Sequence, residues 1–440
     1  MIRVAGGLVV TLDGARTVLE AGCVEIEGDR IVRVGFAPSG GEAVETVDAR
    51  GLIVVPGLLN THCHLSQQLG RGLADDVDLL TWLHERIWPY EAALAEDDVE
   101  TSALACALEQ IRNGVTTVAD PGGRHVDGAA RGIERAGIRA LLGRSTLDEW
   151  DGVPASRRET TEEALAAQDE LAARWHGAAE GRLRFSYTLR TIFNCSDALI
   201  EASVERAREL GTTVQMHVAE IPAENEHARV TRGETTVRHL HRLGALGPWF
   251  LGAHAVWVDD DEIGLLAQTG AAVSHNLASN LRVLGFPRVA DMLDAGVVVG
   301  LGTDGAPANN RMSLIDELWA ASLLQKGLRL DPTALDARTA FAMATCEGAR
   351  ALGLAHELGS LEPGKAADLV LVDPRTPNMT PVHDAVSALV TSMKTENVHS
   401  VMCAGRWLLR ERRILVCDEN EVLREAQERA EAVAVRAGLR

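Results

Sequence analysis

The chain has 440 residues, 46% of them apolar, with 43 basic and 63 acidic side chains and a formal net charge of −20. The acidic excess argues against nucleic acid and anionic membrane surfaces as partners, because like charges repel at every approach. No apolar run nears the ~18 residues of a membrane-crossing helix, and Met1-Ile2-Arg3-Val4 does not open a secretory leader, so a cytoplasmic protein is expected. Seven cysteines without a C-x-x-C pair fit reduced thiols. Only Lys326, Lys365 and Lys394 are lysines; every other basic residue is arginine.

Residues 1–56 read as short strands at 8–12, 23–26 and 31–34, punctuated by the turn signals Asp13-Gly14 and Gly28-Asp29. From 57 onward the pattern changes. Eight β-type runs, at 57–64, 114–120, 137–143, 184–189, 213–217, 250–255, 270–276 and 296–304, alternate with helical stretches such as 97–112, 197–210 and 259–268. Eight alternating units over about 300 residues predict a (β/α)8 TIM-like barrel across 57–358. An open doubly wound sheet is the rival, weakened because no G-x-G-x-x-G follows a strand. Residues 359–417 resume the short-strand character. They are expected to join 1–56 in a small β-sandwich built from both chain ends, and 418–440 reads as a surface helix capped by Asp418.

In such a barrel the reactive groups project from the C-terminal ends of the strands. The expected strand ends carry His62 and His64, Asp120, Arg190, His217 with Glu220, His254, His275 and Asp304. His62 and His64 are two residues apart, which places both imidazoles on one face of a strand. Taken singly, an H-x-H pair, an H-x-x-E spacing or a turn aspartate is as often a packing feature as a ligand. Their coincidence on strand ends points to a site. Three neutral imidazoles and a carboxylate suit Zn²⁺, with Fe²⁺, Mn²⁺ or Ni²⁺ as other choices.

The motif Val55-Pro56-Gly57-Leu58-Leu59-Asn60-Thr61-His62-Cys63-His64 resembles the opening signature of the amidohydrolase superfamily. His217-Val218-Ala219-Glu220, Ala253-His254, Ser274-His275-Asn276, Gly302-Thr303-Asp304-Gly305 and Gly359-Ser360-Leu361-Glu362-Pro363-Gly364-Lys365 follow in the family order. Within the superfamily the chain resembles the branch of cytosine, guanine and S-adenosylhomocysteine deaminases, which also holds the triazine hydrolases. Ile192-Phe193-Asn194-Cys195-Ser196-Asp197 and Asn309-Asn310-Arg311-Met312-Ser313 are similar to the atrazine chlorohydrolase type. Arg71-Gly72-Leu73-Ala74-Asp75-Asp76 and Ile87-Trp88-Pro89 are similar to the adenosine-type deaminases.

The resemblance implies His62, His64, His217 and Asp304 as metal ligands, Glu220 as proton shuttle, and His254 and Asp304 as further catalytic groups. Many two-metal relatives carry a carboxylated lysine on the fourth strand. This chain has no lysine before 326, which implies one divalent metal, Zn²⁺ first and Fe²⁺ second. The implied reaction is hydrolytic deamination of an aminated purine, pterin, pyrimidine or triazine ring. A metal-bound hydroxide attacks the ring carbon, Glu220 protonates the neighbouring nitrogen, and ammonia leaves. The alternatives are a triazine hydrolase releasing chloride or an alkylamine, and a catalytically silent barrel acting as a binding subunit. Arg190 stands where adenosine-type deaminases have a histidine, and its donor-only fork suits a carbonyl or ring nitrogens. Arg190, His275, Gln67 and Trp82 are the expected substrate contacts. Trp319 and Gln68 are weaker candidates, and Trp88 is expected in the core. The partner is expected to be a small heterocycle, with a homo-oligomer left open.

Overall fold

The structure is a computed structural model, and it describes residues 1–36, 38, 43–150, 153 and 158–440. Eight parallel strands form the barrel. The first is Leu58–Asn60, followed by Val115–Asp120, Arg139–Leu142, a divided fourth strand, Val214–Val218, Phe250–His254, Ala272–His275 and Val298–Leu301. The expected fourth strand is split at Ser186. Leu183–Phe185 pairs with the third strand and Tyr187–Leu189 with the fifth, so the ladder changes partner at the serine. The first and eighth strands meet where Thr61 N–H donates to the Leu301 carbonyl at 2.8 Å, which closes the ring.

Burial follows the strand period of two. Leu251 and Ala272 point into the barrel with Leu59, Ala119 and Leu141, whereas Val273 and Val299 face the surrounding helices. The helices start and stop where their local chemistry requires. Ser196 Oγ accepts from Leu199 N–H at the head of Asp197–Leu210, and Gly211 ends that helix at φ +71°. Asp259 and Glu262 cap Asp260–Thr269 reciprocally, and Gly270 terminates it at φ +75°. No helix among the described residues is long and apolar enough to cross a membrane.

Both chain ends build a nine-stranded sheet. Its main path runs Arg413–Ile414, Arg406–Arg410, Val398–Cys403, Leu369–Val372, Ile53–Pro56, Ile2–Val10, Val18–Glu27 and Arg30–Gly35, with Glu45–Asp48 paired to Ile2–Val10. Alternation again decides what each face covers. Leu369 and Leu371 enclose a separate core with Val24, Ile26 and Met402, while Val370 and Val372 join the main core against the barrel. The C-terminal helix, Glu419–Arg436, is more than a solvated surface element. Val422 and Val433 are buried, and Arg429 and Arg436 both reach Asp98 on the helix Glu96–Arg112.

The junction of sheet and barrel is stitched by a buried two-bond ion pair. Arg139, on the third barrel strand, donates to Asp368 through Nε at 3.0 Å and Nη2 at 3.1 Å. Asp368 also accepts from Ala404 N–H at 2.8 Å. Removing one partner leaves the other charge buried without compensation, so Asp368→Ala is expected to cost about 3–5 kcal/mol. Urea unfolding followed by circular dichroism would read this as a lowered midpoint.

Candidate metal centre and active site

The first strand ends at Asn60, so His62 and His64 lie just beyond it, in the turn before the short helix Leu65–Gly70, rather than on the strand itself. Asn60 fixes that turn. Its Oδ1 accepts from Thr303 N–H at 3.1 Å, its Nδ2 donates to Thr303 Oγ1 at 2.8 Å, and the His62 carbonyl accepts from Thr303 and Asp304 N–H. Strand one is thereby locked to the loop that presents Asp304. His217 lies inside the fifth strand, and its Nδ1–H donates to the Arg190 carbonyl at 2.9 Å, leaving Nε2 free to face inward. His254 ends the sixth strand, with Nδ1 2.8 Å from Asn280 Oδ1. Asp304, His254 and Ala219 all have left-handed backbone, at φ +62°, +74° and +50°. Such strain on non-glycine residues concentrates at functional sites.

The donor atoms converge. His62 Nε2 and His64 Nε2 lie 3.5 and 3.4 Å from Asp304 Oδ1, and His64 Nε2 lies 3.4 Å from His217 Nε2. A tetrahedral zinc site with ligands at ~2.0–2.1 Å requires ligand atoms about 3.4 Å apart. The measured gaps match that requirement, and His62 Nε2 has no hydrogen-bond partner among the described residues although buried. Burial lowers the pKa of His62 and of His217, and brings His64 down to about 3, so the imidazoles are neutral and keep their lone pairs. Burial opposes the charge on Asp304, but the His62 ring beside it and the neighbouring imidazoles hold its carboxyl well below the usual range. Three neutral nitrogens and one carboxylate therefore form a donor set that fits a divalent metal.

A cavity of about 250 Å³ opens over this cluster. Glu220, His254 and Asp304 stand at its inner end, where donor atoms of Glu220, His217 and His254 lie within 4.8 Å of one another. Burial pushes the Glu220 carboxyl up toward its protonated form, against the pull of His254 and Arg190. Its turn is held by Glu224, whose carboxylate accepts from Ala219 N–H at 2.7 Å and Glu220 N–H at 2.8 Å. Arg190, Gln67 and Trp82 also line the cavity. Gln67 Nε2 donates to Glu91 at 3.1 Å, and Glu91 lies 3.9 Å from the Arg190 guanidinium. Among the described residues, no lysine lines the cavity.

Several expectations shift. His275 does not line the cavity; strand alternation puts it on the face of Val273, toward the helices, where it is fully buried. Trp319 stands on the outer helix Leu314–Arg329, half exposed, and Gln68 turns away to donate to Glu109. Trp88, expected in the core, packs on Leu147 yet also lines the cavity, stacked on His84. Asp120 is buried under the site, where it accepts from Gly122 and Leu65 N–H. Sequence reasoning missed Glu91, Ser279 and Asn280. Ser279 Oγ donates to Asp304 Oδ2 at 2.6 Å, and Asn280 holds His254. The signal was available in Ser274-His275-Asn276-Leu277-Ala278-Ser279-Asn280, a strand end running into a helical turn.

Comparison with known proteins places this geometry. The Amidohydrolase family model matches residues 53–408. A 5'-deoxyadenosine deaminase of Methanosarcina mazei is 38% identical over 437 residues, covering 99% of each chain. A 5-methylthioadenosine/S-adenosylhomocysteine deaminase of Pelotomaculum thermopropionicum is 36% identical over 98% of each. Among solved structures, an adenosine deaminase from Xanthomonas campestris with bound zinc superposes with a TM-score of 0.92 at 30% identity, over 99% of this chain and 98% of that one. Atrazine chlorohydrolase from Arthrobacter aurescens, complexed with zinc, gives 0.91 at 27% identity over 98% and 100%. The triazine hydrolases thus share the fold at lower identity than the deaminases.

Ser279→Ala removes the hydroxyl that orients Asp304 and is expected to weaken metal affinity about 10-fold or more, measured by competition with a chromogenic chelator. Burial pushes Glu317, which accepts from Asn309 Nδ2 at 2.8 Å, up from the usual 4.5 to about 8. The folded state then keeps a proton that the unfolded chain has released. The stability tied to this group is full below about 4.5 and is lost as pH rises through about 8. Glu317→Gln is expected to shrink the drop in thermal midpoint between about pH 6 and pH 9 by about 2–4 °C, read by differential scanning fluorimetry.

Proposed function

The chain belongs to the amidohydrolase family, and we propose that it removes the 6-amino group of an adenine nucleoside modified at its 5′ position. The broader activity, metal-dependent hydrolytic deamination of an aminated N-heterocycle, is what the family and its deaminase relatives share with this chain. The finer reading is supported by the 5′-deoxyadenosine and 5-methylthioadenosine/S-adenosylhomocysteine deaminase relatives, and the deamination chemistry itself by Glu220. Its carboxyl is buried beside the His62, His64, His217 and Asp304 cluster and pushed toward its protonated form, in a cavity walled by Trp82, Trp88 and leucines.

A divalent metal held by His62, His64, His217 and Asp304, zinc in our reading, would supply a water nucleophile activated at neutral pH. Glu220 gives its proton to the ring nitrogen beside the amino-bearing carbon, so the electron pair displaced by the attack rests on that nitrogen. His254 and Asp304, 4.0 Å apart, are placed to take the proton lost by the nucleophile and pass it to the amine, which leaves as ammonia, while the remaining hydroxyl proton returns to Glu220 as the ring carbonyl forms. Asn280 keeps the His254 ring in position for this transfer. Trp82 and Trp88 offer flat apolar faces to the ring. Arg190 offers only donors, which suits the acceptor nitrogens of a purine edge and gives nothing to a second exocyclic amine.

With Glu220→Gln, kcat is expected to fall about 10²–10⁴-fold while the bound metal per chain is unchanged. Ammonia release from 5′-deoxyadenosine together with metal analysis checks this; near-normal turnover would remove Glu220 from the mechanism. Chloride release from a chloro-triazine faster than ammonia release from the nucleosides would favour the hydrolase alternative.

A further inference from the structure

The helix Leu314–Arg329 lies on the outside of the barrel, and its two faces differ. On the inner face Leu314, Ile315, Leu318 and Ala321 are buried, and Glu317 and Gln325 accept from Ala278 and Ala290 N–H. The outer face carries Trp319, Leu323 and, just past the helix end, Leu330, at helical spacing and 50%, 54% and 91% exposed. Ala320, Leu324 and Gly327 lie beside them, and Leu328, 46% exposed, extends the patch. In a chain with a net charge of −20, a solvated helix face would be expected to carry charge. Here the charged groups stand toward the ends, Asp316 in the first turn and Lys326 and Arg329 in the last.

Leu330 adds a second observation. It ends the helix in left-handed backbone, at φ +51°, a conformation that suits glycine or asparagine. It bears that strain while packing on almost nothing in its own chain.

We propose that this face is the contact between two copies of the chain, packed antiparallel about a two-fold axis near Leu323 and Leu324. Trp319, Leu323, Leu328 and Leu330 expose roughly 500 Å² of apolar surface, an extent that marks an interaction site. Doubled by symmetry this is about 1,000 Å², the area a specific interface needs. A two-fold contact requires the face to match itself. Antiparallel packing sets Ala320 against Gly327 of the copy, where small residues let the backbones approach, and Trp319 toward Leu330 of the copy. The space over Gly327 is open, with no atom within 4 Å of where a Cβ would lie. The charges match as well. Asp316 lies seven residues before Leu323 and Arg329 six after it, so Asp316 of each copy comes level with Arg329 of the other. Both already sit in ion pairs, with Arg311 and with Asp291 and Asp294, which makes a polar rim of mixed sign around an apolar centre. An anionic lipid surface would repel the acidic chain.

Sedimentation velocity on the full-length, metal-loaded protein is expected to show two chains per particle at micromolar concentration. Leu323→Glu sets two carboxylates against each other near the axis and is expected to raise the dimer Kd about 10-fold or more. Leu330→Gly is expected to raise it about 10-fold. Glycine suits the left-handed backbone there, so a weaker dimer in this variant reports a lost contact rather than a damaged helix. A parent that sediments as a single chain overturns the proposal. So does a dimer whose Kd stays within about twofold of the parent value in both variants.

Discussion

His62 Nε2 and His64 Nε2 lie 3.5 and 3.4 Å from one carboxylate oxygen of Asp304, and His64 Nε2 lies 3.4 Å from His217 Nε2, in a space shielded from bulk water. Lone pairs so placed repel, and desolvation keeps the imidazoles from relieving that by protonation. The surroundings hold the arrangement. Asn60 ties the first strand to the Asp304 loop, the Arg190 carbonyl orients His217, and Ser279 fixes the free oxygen of Asp304. The left-handed backbone at Asp304 and His254 belongs to the same constraint, because those residues must turn their side chains back over the barrel mouth. A divalent cation would turn the repulsion into attraction, and the geometry fits one.

Around that centre lies a ring of buried carboxyls with different tasks. Glu220 lines the cavity and is pushed toward protonation, as suits a proton donor. Glu224 and Glu317, raised to about 8, accept backbone and side-chain hydrogen bonds that shape the loops carrying Glu220 and Ser279. Asp120, raised to about 7, braces the turn after His64. The elevation of all four has one origin, the low dielectric beneath the barrel mouth, and only position separates the group that can reach a substrate from those that cannot.

The barrel was legible because β-type runs and helical stretches alternate eight times, and each observed strand overlaps its expected run, although the first and eighth end three to four residues earlier than expected. The cluster proposed as the donor set was legible because His62, His64, His217 and Asp304 stand at or just beyond strand ends in a recognisable order. Some relations were hidden because they depend on which way a side chain turns. His275 has the same motif context as its neighbours, but its place in the pleat sends it outward. Glu91 comes from a helix far from any strand end and reaches the site only because the segment 79–93 folds over the cavity.

Residue type, spacing and order alone carried the fold class, the family, the donor set and the lack of lysine before 326. The folded chain was needed to set the distances among the donors, the groups that orient them, and the absence of His275 from the cavity lining. Those depend on how segments more than two hundred residues apart, such as Asn60 with Thr303 and Asp75 with Arg282, come into contact. Local periodicity carries no record of that.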